Sequence, residues 1–182
     1  MKVILICGKA ESGKDTAAGF MESWCKANGK RVMVTHYADL LRYICAKYLG
    51  WDGKKDEAGR KLLQTVGTDI FRKEYPDIWV DHIAAVLKCL GHNWDFVIIP
   101  DCRFPNEVTR LKDQGFDVTT ARIIREGVTN NGRISDRQRT HSSETSMDEW
   151  DADTEIYNND GISELESAVC EAMRTISDVT DQ

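Results

Sequence analysis

The sequence predicts an α/β fold of three layers, with helices on both faces of a five-stranded parallel sheet. Three observations predict it. Short apolar runs alternate with amphipathic helical stretches, the pattern of βαβ units. The run Phe96 to Pro100 is hydrophobic throughout, as a strand covered on both faces must be. The opening run, Val3 to Cys7, leads into a glycine-rich turn and then a helix. At 182 residues, with no linker rich in Pro, Gly or Ser and no repeat, the chain reads as one domain over 1–182.

In order, Lys2 to Cys7 reads as a central strand. Thr16 to Ala27 reads as a helix with Ala17, Phe20, Met21 and Trp24 on one face, stopped by Asn28-Gly29. Arg31 to His36 is a second strand. Tyr37-Ala38-Asp39 opens a helix carrying Leu40, Leu41, Ile44 and Tyr48, ended by Gly50. Lys54 to Arg60 is a charged loop or helix start, and Leu62 to Phe71 a helix. Pro76 precedes the helix Asp77 to Leu90, closed by Gly91. Phe96 to Pro100 is the third strand, Asn106 to Gln114 a helix, and Asp117 to Ile124 the fourth strand. Arg125 to Thr140 is polar, with Gly127 and Gly132. Thr154 to Tyr157 is the fifth strand, and Ile162 to Ile176 the last helix. Ligands of such sheets bind at the strands' C-terminal ends. Gly8 to Thr16, Tyr37 to Arg42, Asp101 to Glu107 and the Arg125 region are therefore expected to converge.

The turn Gly8-Lys9-Ala10-Glu11-Ser12-Gly13-Lys14-Asp15-Thr16 has the strand–turn–helix setting of a phosphate loop. Gly8 and Gly13 let the backbone curl so that its N–H groups face an anion. The helix N-terminus adds partial positive charge, and Lys14 a full one. Asp15 stands where a hydroxyl residue usually holds magnesium, and a carboxylate also ligates that ion. Asp101, at a strand end, suits a magnesium site or a proton acceptor; a helix cap or a salt bridge to Arg103 is the plainer reading. Arg103 suits a phosphate clamp. Glu107 either complements a helix dipole or bonds a sugar or base. Arg122, Arg125, Arg133, Arg137 and Arg139 cluster in one stretch, either a solvated loop or a flap (about 125–145) that neutralises a transferring phosphoryl group and excludes water. His141 and Glu144 read as hinge or structural residues, since no second histidine completes a metal site.

The net charge of −6 argues against nucleic acid or an anionic membrane as partner. No apolar run approaches the ~20 residues of a membrane span, and the first segment reads as a strand rather than a signal peptide. Six cysteines without metal-site spacing point to a reducing, cytoplasmic setting.

Together these residues resemble the deoxynucleoside monophosphate kinase family best known from tailed phages, within the P-loop nucleoside monophosphate kinases. The resemblance rests on Ser12-Gly13-Lys14-Asp15-Thr16 and on Leu63-Gln64-Thr65-Val66-Gly67-Thr68-Asp69 with Arg72 and Trp79. It continues through Ile99-Pro100-Asp101-Cys102-Arg103 with Glu107, Thr140-His141 with Glu144, and Asn158-Asn159-Asp160-Gly161. It implies transfer of the ATP γ-phosphoryl to a deoxynucleoside 5′-monophosphate. Gly8, Glu11, Ser12, Gly13, Lys14, Asp15 and Thr16 would bind ATP and Mg2+, with Asp15 and Asp101 near the metal. Arg42, Gly67, Thr68, Trp79, Asp101, Arg103 and Glu107 would line the monophosphate site. Lys14, Asp101, Arg103 and Arg125 would be catalytic, and Arg133, Arg137 and Arg139 would belong to the lid. Trp79 would stack on the base or serve as a core aromatic. The chain is shorter than the best-known members between Tyr48 and Leu62, where they carry an insertion that contributes to dimerisation; a homodimer stays open. Two other readings stay open as well. One is a kinase of another phosphorylated acceptor, of phosphomevalonate or dephospho-coenzyme A type. The other is a non-catalytic nucleotide-binding regulator.

Overall fold

The computed structural model describes residues 1–54, 56–126 and 140–178. Its sheet contains β1 (Lys2–Cys7), β2 (Val32–Val34), β3 (Phe96–Ile99), β4 (Asp117–Ile124) and β5 (Thr154–Tyr157). Their order is β2-β3-β1-β4-β5, and every pairing is parallel. The helices are α1 (Lys14–Ala27), α2 (Ala38–Leu49), α3 (Glu57–Gln64), α4 (Ile78–Leu90), α5 (Pro105–Asp113), α6 (Ser142–Thr145) and α7 (Ile162–Asp178). Among the described residues no helix is long and apolar enough to cross a membrane.

Alternation along the central strand builds the three layers. Val3, Leu5 and Cys7 face a core shared with α2, α4 and α5, while Ile4 and Ile6 face one shared with α1 and α7. All five are fully buried, each aliphatic one contributing roughly 1.5–3 kcal/mol. Leu5 pairs with Ile99 on β3 and Cys7 with Arg122 on β4. The register therefore brings the chain leaving β1, β3 and β4 to one edge. Gly8, Asp101 and Arg125 follow these strands at that edge.

Three elements differ from the pattern-based reading. β2 ends at Val34 rather than His36, although Thr35 N still donates to Ile98 O at 3.1 Å. The helix expected over Leu62 to Phe71 divides. α3 begins earlier, where Asp56 accepts from Gly59 N at 2.8 Å, and Thr65–Arg72 winds wider as a π-helix. A short helix, α6, lies in the polar stretch before β5.

Candidate active site

The loop after β1 is bent by Gly8 (φ 139°), Glu11 (φ 63°) and Gly13 (φ 101°), and Ser12 N donates to Lys9 O at 3.2 Å. A Cβ on Gly8 would stand 2.5 Å from the Ile123 carbonyl oxygen of β4. Asn158, after β5, braces the loop from outside: its Nδ2 donates to Ser12 O at 2.8 Å. Lys14 folds back over the loop, and its Nζ donates to the carbonyls of Gly8 and Lys9, both at 2.7 Å. Burial, and then the nearby Arg103 charge, push the Lys14 ammonium pKa down to about 8. A cation so held is ready to exchange two carbonyls for phosphate oxygens.

A cavity of about 550 Å³ opens beside the loop. Glu11, Gly13, Lys14, Asp15 and Thr16 form one end. Arg42, Gly67, Thr68 and Trp79 line it from α2, the π-helix and α4. Asp101, Arg103, Glu107 and Arg125 line it from the chain after β3 and β4. Gly8 faces a smaller recess shared with Lys9 and Arg103, and the buried Ser12 hydroxyl has no partner among the described residues. Arg133, Arg137 and Arg139, and most of the proposed flap, lie outside the described residues.

The side chains divide by what holds them. Asp101 caps α2 across the sheet edge, its two oxygens accepting from Tyr37 N at 2.9 Å and Ala38 N at 3.0 Å. Arg42, one turn along α2, donates to Asp39 at 3.0 Å; its Nε is buried with no partner among the described residues. Glu107 is 1% exposed and accepts from Arg103 N at 2.6 Å, Phe104 N at 3.1 Å and the Arg72 guanidinium. Burial pushes its carboxyl pKa up, while Arg72 and the two amides pull it back. Arg72 also lies over the Phe104 ring, 4.1 Å from its centroid. Trp79 is 3% exposed, and its Nε1 donates to Gly67 O at 3.1 Å. It is thus a core residue that also lines the cavity.

The sequence groups Arg122 with the arginine flap. Here it stands in β4 and ties down the chain before β5, donating to Met147 O at 2.8 Å and to Trp150 O. His141 caps α6, and Glu144 pairs with Arg103. His36 escaped the sequence reading. Its ring lines the cavity between Asp15 (3.6 Å) and Asp39 (3.7 Å), and the Asp15 carboxylate, against burial, pulls its pKa up. Its position at the C-terminal end of a parallel strand was the available signal. Arg60 and Gln64 also line the cavity. Arg60 sits in a stretch that reads as a charged loop or helix start, and Gln64 in the motif over 63–69, where the sequence singles out Gly67 and Thr68 instead.

Comparison with known proteins matches this sequence to a family. A family model described as deoxynucleotide monophosphate kinase matches residues 30–169. An uncharacterized protein, ORF77, of Ictalurid herpesvirus 1 (strain Auburn) is 32% identical over 167 residues, covering 91% of this chain and 68% of that protein. The fold is shared with an APS kinase of Mycobacterium tuberculosis solved with AMPPNP and APS. That match has a TM-score of 0.55 and 14% identity, and covers 100% of this chain and 98% of the other. A dephospho-CoA kinase from Campylobacter jejuni gives a TM-score of 0.53 at 13% identity, over 96% and 97% of the two chains. A phosphate loop facing converging arginines, and a family match over most of the sequence, point the same way: the chain belongs to the deoxynucleotide monophosphate kinase family and is an ATP-dependent nucleotide kinase.

Proposed function

We propose that this chain, working as one domain, moves the γ-phosphoryl of ATP to a deoxynucleoside 5′-monophosphate to give the diphosphate. The observation that carries the reading is the shared cavity, which the phosphate loop lines together with Arg42 and Arg103. The buried Nε of Arg42, which has no partner among the described residues, is a donor suited to an anion. In this reading Lys14 and the loop amides hold the β- and γ-phosphates, and Arg42 and Arg103 hold the acceptor phosphate in line. Gly67, Thr68 and Trp79 wall the sugar and base. Glu107 shapes that wall by fixing the amides of Arg103 and Phe104. Arg125, and one or more of Arg133, Arg137 and Arg139, would neutralise charge on the transferring group. Catalysis is then chiefly positioning and charge stabilisation.

The donor set fits magnesium, which takes one or two carboxylates and completes its shell with water and phosphate oxygens. Asp15, exposed in the first turn of α1 beside Thr16, would hold it most directly. Asp101, with each oxygen already accepting an amide N–H, fits as a partner through water. When bound there, the ion neutralises phosphate charge. The acidic net charge and the free described cysteines support small nucleotides as partners in a reducing cytoplasm, rather than nucleic acid or membrane.

Coupled ADP release, run with the four dNMPs, ribonucleotides, phosphomevalonate and dephospho-coenzyme A, tests this. Turnover is expected with at least one dNMP, and Lys14→Ala is expected to lose about 100-fold or more with its circular dichroism intact. Flat traces across the dNMPs reject the reading.

A further inference from the structure

Arg103 is held along one edge only. Its Nη1 donates to Ser143 O at 2.9 Å and to the Glu144 carboxylate. Among the described residues Nε and Nη2 have no hydrogen-bond partner, and the residue lines the cavity. The pair is lopsided in burial: the Glu144 side chain is 10% exposed and that of Arg103 37%. Glu144 also lines the cavity, but its side chain is the more covered of the two. Burial opposes the Arg103 charge, but Glu144, with Asp101 and Glu107, more than restores it.

The platform carrying Glu144 is itself tied to the phosphate loop. Lys9 Nζ donates to Glu144 O at 3.2 Å and to Asp148 at 2.5 Å. Arg122 holds Met147 O, and Met147 packs in the core. Ser143 N donates to His141 Nδ1 at 3.2 Å. The frame that holds Arg103 thus also holds the loop that faces Lys14.

We infer that Glu144 is a positioning residue for the acceptor phosphate, acting through Arg103. By gripping Nη1 it fixes the plane of the guanidinium and leaves the Nε–Nη2 edge, the bidentate one, turned to the cavity. A freely rotating arginine would meet the phosphate in many orientations. In-line transfer tolerates few of them, and a misplacement of about 1 Å costs on the order of 100-fold. This inference rests on the reading of Arg103 as an acceptor-phosphate ligand.

Steady-state kinetics on Glu144→Gln, Glu144→Asp and the Arg103 variants test it. Glu144→Gln keeps the shape and removes the charge. Its kcat/KM for the monophosphate is expected to fall about 10- to 100-fold, with affinity for a non-hydrolysable ATP analogue and Tm little changed. Glu144→Asp, which keeps the charge one methylene short, is expected to recover part of the loss. In an Arg103→Ala background Glu144→Gln is expected to add almost nothing. If Arg103→Ala does not fold because it strands the buried carboxylate, Arg103→Lys serves as the background. Unchanged turnover in Glu144→Gln, losses that multiply in the double variant, or equal losses of ATP affinity and Tm would each overturn the inference. A wild-type chain silent on every monophosphate overturns the kinase reading and this inference together. An active wild type with an indifferent Glu144→Gln overturns this inference alone.

Discussion

Gly8 shows how little freedom single positions in the loop have. Its φ of 139° suits glycine alone, and the atom a Cβ would meet at 2.5 Å is a carbonyl oxygen of the central sheet, which cannot step aside. Gly8→Ala is therefore expected to cost on the order of 1–3 kcal/mol by urea unfolding and to abolish binding of a fluorescent ATP analogue. Wild-type affinity would mean that the loop bends differently. Gly13 (φ 101°) meets a side chain instead, Asn158 Nδ2 at 2.5 Å. Gly13→Ala would push Asn158 off the Ser12 carbonyl and weaken the brace. The loop glycines and Lys14 were legible from spacing, because strand, turn and helix follow one another in the chain. The brace was not legible from spacing, since Asn158 lies 146 residues beyond the carbonyl it holds. Nor was the place of Trp79. Its core role depends on the Gly67 carbonyl and on Phe71, whose ring centroid is 5.4 Å away.

Elements here are terminated and capped by other elements, and Asp101 is the clearest case. The N-cap residue of α2, Tyr37, makes no side-chain cap bond, and Asp101, just past β3, supplies acceptors for Tyr37 N and Ala38 N. Asp101→Asn places an NH2 against one amide and is expected to lose about 1–2 kcal/mol. Because Arg42 rides on α2, KM for the monophosphate should rise in this variant more than KM for ATP. Equal rises would place Asp101 at the donor phosphates instead. Strands β1, β4 and β5 were readable residue by residue, since unbroken or alternating apolar runs fix their length. The π-helix was not readable. Its apolar spacing suits an ordinary helix, and the wider turn accompanies close approach to Leu41, 2.6 Å from a Cβ built on Gly67, and the bond from Trp79. Helix α6 has one turn and little apolar periodicity. Its order comes from Lys9, Arg103 and Arg122, all distant in sequence.

Across the whole molecule, the two ends of the sheet are built differently. The C-terminal end gathers the loop, the arginines and the half-buried pairs that face the cavity. The N-terminal end is closed by an ionic clip. Asp95, just before β3, accepts from Arg31 N at 2.8 Å, Nε at 3.2 Å and Nη2 at 2.8 Å, and so joins the chain entering β2 to the chain entering β3. The Arg31 side chain and its amide hold the Asp95 carboxyl down at about 2, below its usual 3.8. A carboxyl lowered by folding adds stability that is present above its unfolded pKa and disappears as pH falls through its folded one. The clip should therefore contribute fully at neutral pH and fade between about pH 4 and pH 2. Both side chains are well exposed to water, so the contribution is modest and weakens with salt. Asp95→Asn is expected to lower Tm at pH 7 by an amount that shrinks toward pH 2 and toward high salt. Its kcat should match wild type, because the substitution sits at the opposite end of the strands from the cavity. Thermal melts from pH 7 to pH 2, paired with the ADP-release assay, check both halves. A Tm gap unchanged by acid would show that the clip is not ionic. A fall in kcat would show that the two ends of the sheet are mechanically coupled.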